Sequence, residues 1–320
     1  MGSETTFPDK LRLSGAPNIR KEVCLGHPRI PVLPGPDNEP VACSDQRKHY
    51  TISEDSFMRP REDDRMPENT ATKSVLASLP ALRFRPVLAA FGLLLSALAV
   101  DAVIIGLVIH FVGKEAFTAT PWKVLYFGHS GMLLVAVFWI AFFSHGRFRD
   151  WGFKAPSEGR YVYLALLFGL GFGIVMTAAD YAHNFAAHLP PEHYSLSASN
   201  IAGLLTFSGL YAGTVEEILF RGLLVTFLMQ RMSGRVRLGS FDLHIAGVIV
   251  ALLFCVSHVS SFWTESFGAA AGQQVYAFLW GVIYAYWYEK SGSLIPSIIG
   301  HNVGNFVEDV LAFAMVWHWS

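Results

Sequence analysis

Charge is what this chain has least of. Asp, Glu, Lys and Arg make up 15% of its 320 residues, against a hydrophobic share of 52%, which is more apolar than an ordinary soluble domain. The formal net charge is −1 and no long basic run occurs, so nothing favours a nucleic-acid partner. Cysteine is scarce as well. Cys24, Cys43 and Cys255 make no CxxC pair and no even-numbered set, which argues against a disulfide framework and against a cysteine zinc site. HExxH, which would preorganise a zinc hydrolase, is missing. A cleavable signal peptide is not expected, because the first apolar run starts too late. The opening "MGSETT" matches the loose myristoylation pattern at Gly2 and Thr6, a match that chance also produces.

What is present divides at about residue 82. The first part, with "PVLPGPDNEP" and "RPREDDRMPE", is rich in proline and charge and lacks any sustained helical or strand period. Such a segment cannot bury enough apolar surface to offset its ordering entropy, so a disordered cytoplasmic tail is expected over 1–82. From residue 83 apolar runs follow one another, each long enough to cross a hydrocarbon core that needs about 20 helical residues. The expected fold is an all-α polytopic bundle of about seven transmembrane helices. These fall near 86–113, 122–145, 161–187, 201–229, 243–263, 270–289 and 293–317. In an alternating topology the loops with Arg83 and Arg85, with Arg147, Arg149, Lys154 and Arg160, with Arg231, Arg235 and Arg237, and with Lys290 share one side. The positive-inside rule makes that side cytoplasmic, with Lys114 and Lys123 as exceptions. A multi-pass membrane protein with a cytoplasmic N-terminus follows, in the plasma (inner) membrane of a bacterium or the endoplasmic reticulum of a eukaryote.

An ionisable residue inside a bilayer asks for a partner or a role. The candidates are Asp101, His110, Asp180, Glu216, Glu217, Arg221, His258, His301, Asn305, Glu308 and Asp309. In "GTVEEILFRG", Glu217 and Arg221 are four apart, on one helix face, with acid before base. Glu216 lies about 100° around the helix and cannot use that partner equally well. One glutamate is therefore neutralised as an ion pair, and its neighbour is left for general-base chemistry. Two further pairs sit four apart in other spans: Phe254 with His258 in "FCVSH", and His301 with Asn305 in "HNVGN". "EKSGSLIP" reads as a tight turn at Gly292 with a helix start at Pro296. At about 1.5 Å per residue, Glu216 and His301 fall in the cytoplasmic half. His258 falls farther outward, unless its span starts later or tilts, or the cavity is a funnel. Asp101, His110 and Asp180 are assigned to bundle-facing contacts or interfaces; Glu308, seven residues after His301 and almost on its face, is assigned to a place near the outer membrane surface, with membership of the site as the alternative.

Glu216, Glu217 and Arg221 as EExxxR, Phe254 and His258 as FxxxH, and His301 and Asn305 as HxxxN occur in that order. Together they resemble the three motifs of the CPBP intramembrane proteases, the CAAX prenyl protease and bacteriocin-processing group also called Abi-type. The likeness covers about 201–306, taken as the protease core. It implies an intramembrane endopeptidase acting on a membrane-associated, possibly prenylated, protein or peptide. In the glutamate-protease view of that family, Glu216 activates water, and Glu217 with Arg221 supports it. His258 orients the water or passes a proton, and His301 and Asn305 donate hydrogen bonds to the oxyanion. No cofactor is then needed.

The residues themselves also admit a zinc version, with Glu216, His258 and His301 as ligands and the remaining glutamate as base. A non-catalytic scaffold or immunity protein of the same family is a further alternative. A proton-coupled transporter is a third, for which no inverted repeat is visible. The expected partners are the lipid bilayer and a protein or peptide substrate.

Overall fold

The computed structural model describes residues 84–191 and 196–319. The tail expected over 1–82 lies outside the described residues. Among those described, seven long helices occupy the seven apolar stretches: α1 (Phe84–Val112), α2 (Pro121–Ser144), α3 (Arg160–Asp180), α4 (residues 198–229), α5 (Ile245–Ser257), α6 (Phe267–Ser291) and α7 (Ile295–Trp319). A two-stranded hairpin, β1 (Arg235–Leu238) and β2 (Phe241–His244), stands between α4 and α5.

Four segments are long and apolar enough to cross a membrane by length and composition alone: Phe84–Val112, Pro121–Ser144, Arg160–Asp180 and Ile245–Thr264. The other three helices carry the polar residues discussed below. Large apolar side chains face outward along the bundle, among them Leu88, Leu95 and Leu107 on α1, Phe127, Leu134 and Phe138 on α2, and Leu167 and Ile174 on α3. An apolar exterior of that extent suits a lipid solvent and not water.

The local chemistry explains where the helices start and stop. Pro121 opens α2, where its missing N–H costs nothing. Ser197 and Ser266 cap α4 and α6 by accepting from the backbone N–H groups of Asn200 and Ala269. Gly292, at φ +64°, ends α6, and Pro296 stands in the first turn of α7, as the turn at Gly292 and the start at Pro296 require.

Glycines let two pairs of these helices approach closely. A Cβ at Gly169 or Gly173 of α3 would stand 2.7 or 2.6 Å from the carbonyl oxygens of Gly300 and Gly304 on α7, the small-xxx-small contact of membrane helices. On α6, Gly281 meets Ala251 of α5 in the same manner.

The polar loops meet at one end of the bundle. Ser157 N–H donates to the Ser291 carbonyl, Ser293 Oγ to the Lys154 carbonyl, and Leu294 N–H to the Gly152 carbonyl. The hairpin joins them, because the His244 N–H donates to Glu289 Oε2 at 2.7 Å and Arg235 pairs with Glu289 and Asp242. The loops with Arg147 to Arg160, with Arg235 and Arg237, and with Lys290 therefore share one end.

Three boundaries differ from the sequence reading. α3 stops at Asp180 and a short helix, Ala182–Ala187, follows, where a single span to 187 is expected. α5 begins after the hairpin and ends at Ser257, inside the expected 243–263. The hairpin itself interrupts the otherwise all-α chain. Gly239, at φ +60°, makes the first residue of its two-residue turn, with Leu238 opposite Phe241.

Candidate active site

The stretch 213–222 sits where α4 departs from regular geometry. Two π-helical segments, Phe207–Ala212 and Ile218–Val225, flank the α-helical turn Gly213–Glu217. Widened turns of this kind collect at functional sites. Thr226 Oγ donates to the Arg221 carbonyl at 3.3 Å, five residues back, which occupies a carbonyl that the wider winding displaces.

Glu217 and Arg221 are both buried, at 0% and 1% exposure, and pair at 2.9 Å between Oε1 and Nη1. Arg221 also donates from Nη2 to the Gly281 carbonyl at 3.2 Å. Its guanidinium lies 5.2 Å from the Phe254 ring and 5.4 Å from the Tyr284 ring, so two aromatic faces enclose the cation. The same Glu217 Oε1 is 2.9 Å from His301 Nδ1. A carboxylate only accepts, so the His301 proton is on Nδ1 and Nε2 turns away from Glu217. The ring stacks on Tyr284 at 5.5 Å and 22°.

Glu216 faces differently. Its Oε1 is 3.5 Å from His129 Nε2, and its Oε2 is 3.8 Å from His301 Nε2, so neither contact is a short hydrogen bond. Oε2 is buried without a hydrogen-bond partner. Glu216 lines a cavity of about 290 Å³ together with Phe254, His258, His301 and Asn305. At the end of α5, His258 donates from Nδ1 to the Phe254 carbonyl at 2.9 Å, with Ser257 Oγ at 3.2 Å. That leaves Nε2 as the nitrogen available to the cavity.

The cavity continues past Asn305 to Asp180, Ser208, Gln273, Tyr276, Glu308 and Asp309. A second cavity, of about 350 Å³, shares Asp180, His258, Gln273 and Tyr276 and reaches Ser261 and Glu265 in the loop between α5 and α6. The two form a funnel from Glu216 to the end of the bundle opposite the basic loops. His258 stands at their junction, which accounts for its outward depth. Along the walls Tyr276 donates to Asp180 at 2.8 Å, Asp180 and Glu308 hydrogen-bond to one another, and Ser208 donates to Asp309. Glu308 therefore lines the funnel, as the alternative assignment of it implies. His110 is exposed on α1, which leaves the interface reading of it and not the bundle-facing one.

Close approach of α7 to α4 makes this site. A Cβ at Gly213 would stand 2.8 Å from His301 Cγ and 2.5 Å from Asn302 Oδ1. Asn302 fixes the contact by donating to the Leu210 carbonyl and to Thr214 Oγ, at 3.2 and 3.0 Å.

His129 on α2 is a site neighbour absent from the sequence candidates. It belongs to no motif, but an ionisable residue at mid-span was signal enough. Asp101 on α1, assigned above to contacts within the bundle, is near enough to act electrostatically on His129 and Glu216. Among the described residues, no three His, Cys, Asp or Glu side chains are arranged to hold a metal ion. Outside the spans, Arg235 holds the Asp242 carboxyl below its ordinary range by hydrogen bond and charge.

No curated protein and no solved structure matches the chain. Residues 198–307 match the family model described as Rce1-like, type II CAAX prenyl endopeptidase, a stretch that holds all three motifs. Helices α1 to α3 fall outside it. The chain is thus a bundle of apolar membrane helices whose residues 198–307, about a third of its length, are similar to the Rce1-like, type II CAAX prenyl endopeptidase family.

Proposed function

We propose that the chain hydrolyses a peptide bond of a membrane-associated protein or peptide, with Glu216 as the base that activates water. One observation carries this reading: of two adjacent glutamates, Glu217 is locked by Arg221 and His301, while Glu216 makes no short ion pair and lines the polar funnel. Pairing alone would need one acid.

In the proposed reaction Glu216 Oε2 takes a proton from water, and the water oxygen attacks the scissile carbonyl carbon. The carbonyl π electrons move to oxygen, where the Asn305 amide is the donor in reach of the cavity and His258 stands to orient the water; His301, expected to donate as well, gives its Nδ1 hydrogen bond to Glu217. The C–N bond then breaks, and the proton held by Glu216 passes to the leaving nitrogen. A carboxylic acid and an amine result, and Glu216 is again a carboxylate. Glu217 and Arg221 hold His301, whose Nε2 faces Glu216. The sequence resemblance supplies these residues; their shared cavity supports the grouping.

The reading is metal-free. The absence of HExxH from the sequence, the pair that would preorganise a zinc hydrolase, favours it over the zinc alternative. By the positive-inside rule the basic loops face the cytoplasm, which puts the N-terminus of α1 there and the mouth of the funnel on the opposite side.

The test is cleavage by the full chain in liposomes, in ¹⁸O-labelled water, of membrane-tethered peptides with and without a prenylated carboxyl terminus. Fragments whose new carboxylate carries one ¹⁸O support hydrolysis, and comparison of the two peptide sets defines the substrate. Peptides retained by the protein but never cut would make it a binding protein instead.

A further inference from the structure

Glu216 has one oxygen facing His301 in the funnel wall, at 3.8 Å, and the other turned to a helix outside the family-matched region. Oε1 faces His129 Nε2 on α2 at 3.5 Å, with the two side chains 16% and 18% exposed. Both Glu216 oxygens cannot serve as base. The one that faces a cationic or N–H partner is held by it, and the other keeps its lone pairs for water. His129 thus selects which oxygen works.

His129 is itself fixed from several directions. Its ring meets Phe207 of α4 edge-on at 4.9 Å. Its Nδ1 is buried without a normal hydrogen bond, although the Leu125 carbonyl lies beside it. The remaining charge is Asp101 on α1, which interacts with both His129 and Glu216, and whose Oδ1 is also buried without a partner. Asp101 reaches this position only because residue 128 is glycine. A Cβ at Gly128 would stand 2.4 Å from Asp101 Oδ1. A partly buried carboxylate and a partly buried imidazole, each with one buried atom missing a hydrogen bond, form a costly arrangement unless they serve a common purpose.

We infer that His129, backed by Asp101, is the positioning residue of Glu216, so that α1 and α2 complete an active site whose motif residues all lie in α4, α5 and α7. The inference rests on the reading of Glu216 as the base. Its logic is that of a carboxylate–imidazole pair orienting a reacting group. His129 donates from Nε2 to Oε1, and Asp101 stabilises the charge of the ring that does so. Neither residue touches substrate.

The experiment uses the full chain in liposomes with a peptide it cleaves. It compares kcat and KM of wild type with His129→Gln, His129→Leu, Asp101→Asn, the double variant His129→Leu/Asp101→Asn, and Glu216→Gln. His129→Leu should lower kcat by about 100-fold, the scale expected when a reacting group is displaced by about 1 Å, with KM unchanged. Glutamine keeps an N–H near the Nε2 position, so His129→Gln should keep kcat within about tenfold of wild type, the loss of one unassisted hydrogen bond. Asp101→Asn should lower kcat in the wild-type background and add nothing to His129→Leu, because contacts in one network are not additive. Wild-type kcat in His129→Leu, with Glu216→Gln inactive, would overturn the inference and leave the base assignment standing. Equal losses in His129→Gln and His129→Leu, with KM and thermal midpoint falling in step, would reduce His129 to a packing role and overturn it too. Activity in Glu216→Gln would remove the base assignment, and this inference with it.

Discussion

Replacing Gly213 by alanine tests whether the approach of α7 to α4 makes the site. The new Cβ would stand 2.5 Å from Asn302 Oδ1, 2.8 Å from His301 Cγ and 3.0 Å from His301 Cβ. Carbon atoms settle at about 3.5–4.0 Å, so α7 must retreat by about 0.8 Å. The bond between His301 Nδ1 and Glu217 Oε1, now 2.9 Å, would lengthen to about 3.7 Å, beyond hydrogen-bond range. Two effects compete for stability. Overpacking costs about 1–3 kcal/mol, and alanine in place of glycine in a helix returns about 1 kcal/mol. The net loss is then about 0–2 kcal/mol, with most molecules still folded. Turnover should suffer more, by about 100-fold, because a shift of about 1 Å at a reacting group costs that much. Gly222, at the other end of the same stretch, is the control. A Cβ there would meet Ile140 and Leu294 at 3.5 Å, an ordinary contact, so Gly222→Ala should cleave peptide as wild type does. The assay is peptide cleavage in liposomes alongside a thermal midpoint for each variant. Wild-type turnover in Gly213→Ala would refute the reasoning, because the helices would then have room that the structure denies them.

Three more outcomes follow from the same geometry. Arg221→Met leaves the Glu217 carboxylate buried and unpaired, which should cost about 3–5 kcal/mol; adding Glu217→Gln should recover part of the lost thermal midpoint without restoring turnover. In the hairpin the folded-state pKa of Asp242 is lowered by Arg235. Its contribution is therefore complete above the unfolded value of about 3.9 and fades as pH falls through the lower folded one, so acid loss of hairpin amide protection should be weaker in Asp242→Asn. The metal-free reading expects purified protein to hold substoichiometric zinc and to keep its turnover after chelation. Activity that is lost on chelation and restored by zinc would replace that reading with the zinc alternative.

The sequence shows the helices because a lipid solvent leaves a coarse mark: an apolar run of some 20 residues is visible without knowing its neighbours. It also marks the candidates for chemistry, since Glu216, Glu217 and Arg221 are anomalous in such a run. Winding is harder to read. The two π segments of α4 depend on how Thr226 and the facing helices take up displaced carbonyls, and no residue pattern announces them. The hairpin was legible, because "RVRLGSFDLH" alternates around a Gly-Ser pair, but the apolar runs on each side draw attention from it. The depth of His258 is a funnel's property, set by where α3 ends and α6 begins. His129 is the instructive omission. Motif spacing ranks residues within one segment, whereas the partner of Glu216 comes from a helix about 90 residues earlier and is found only by asking every buried charge for its neighbour.

The central claim is that Glu216 does chemistry while Glu217 holds structure, and substitution of Glu216 by glutamine tests it most directly. The account predicts that purified Glu216→Gln keeps the wild-type thermal midpoint and still binds peptide, yet cleaves it at least about 1000-fold more slowly, the upper range for loss of a general base. Cleavage at the wild-type rate, or inactivity that merely follows loss of the fold, would contradict it.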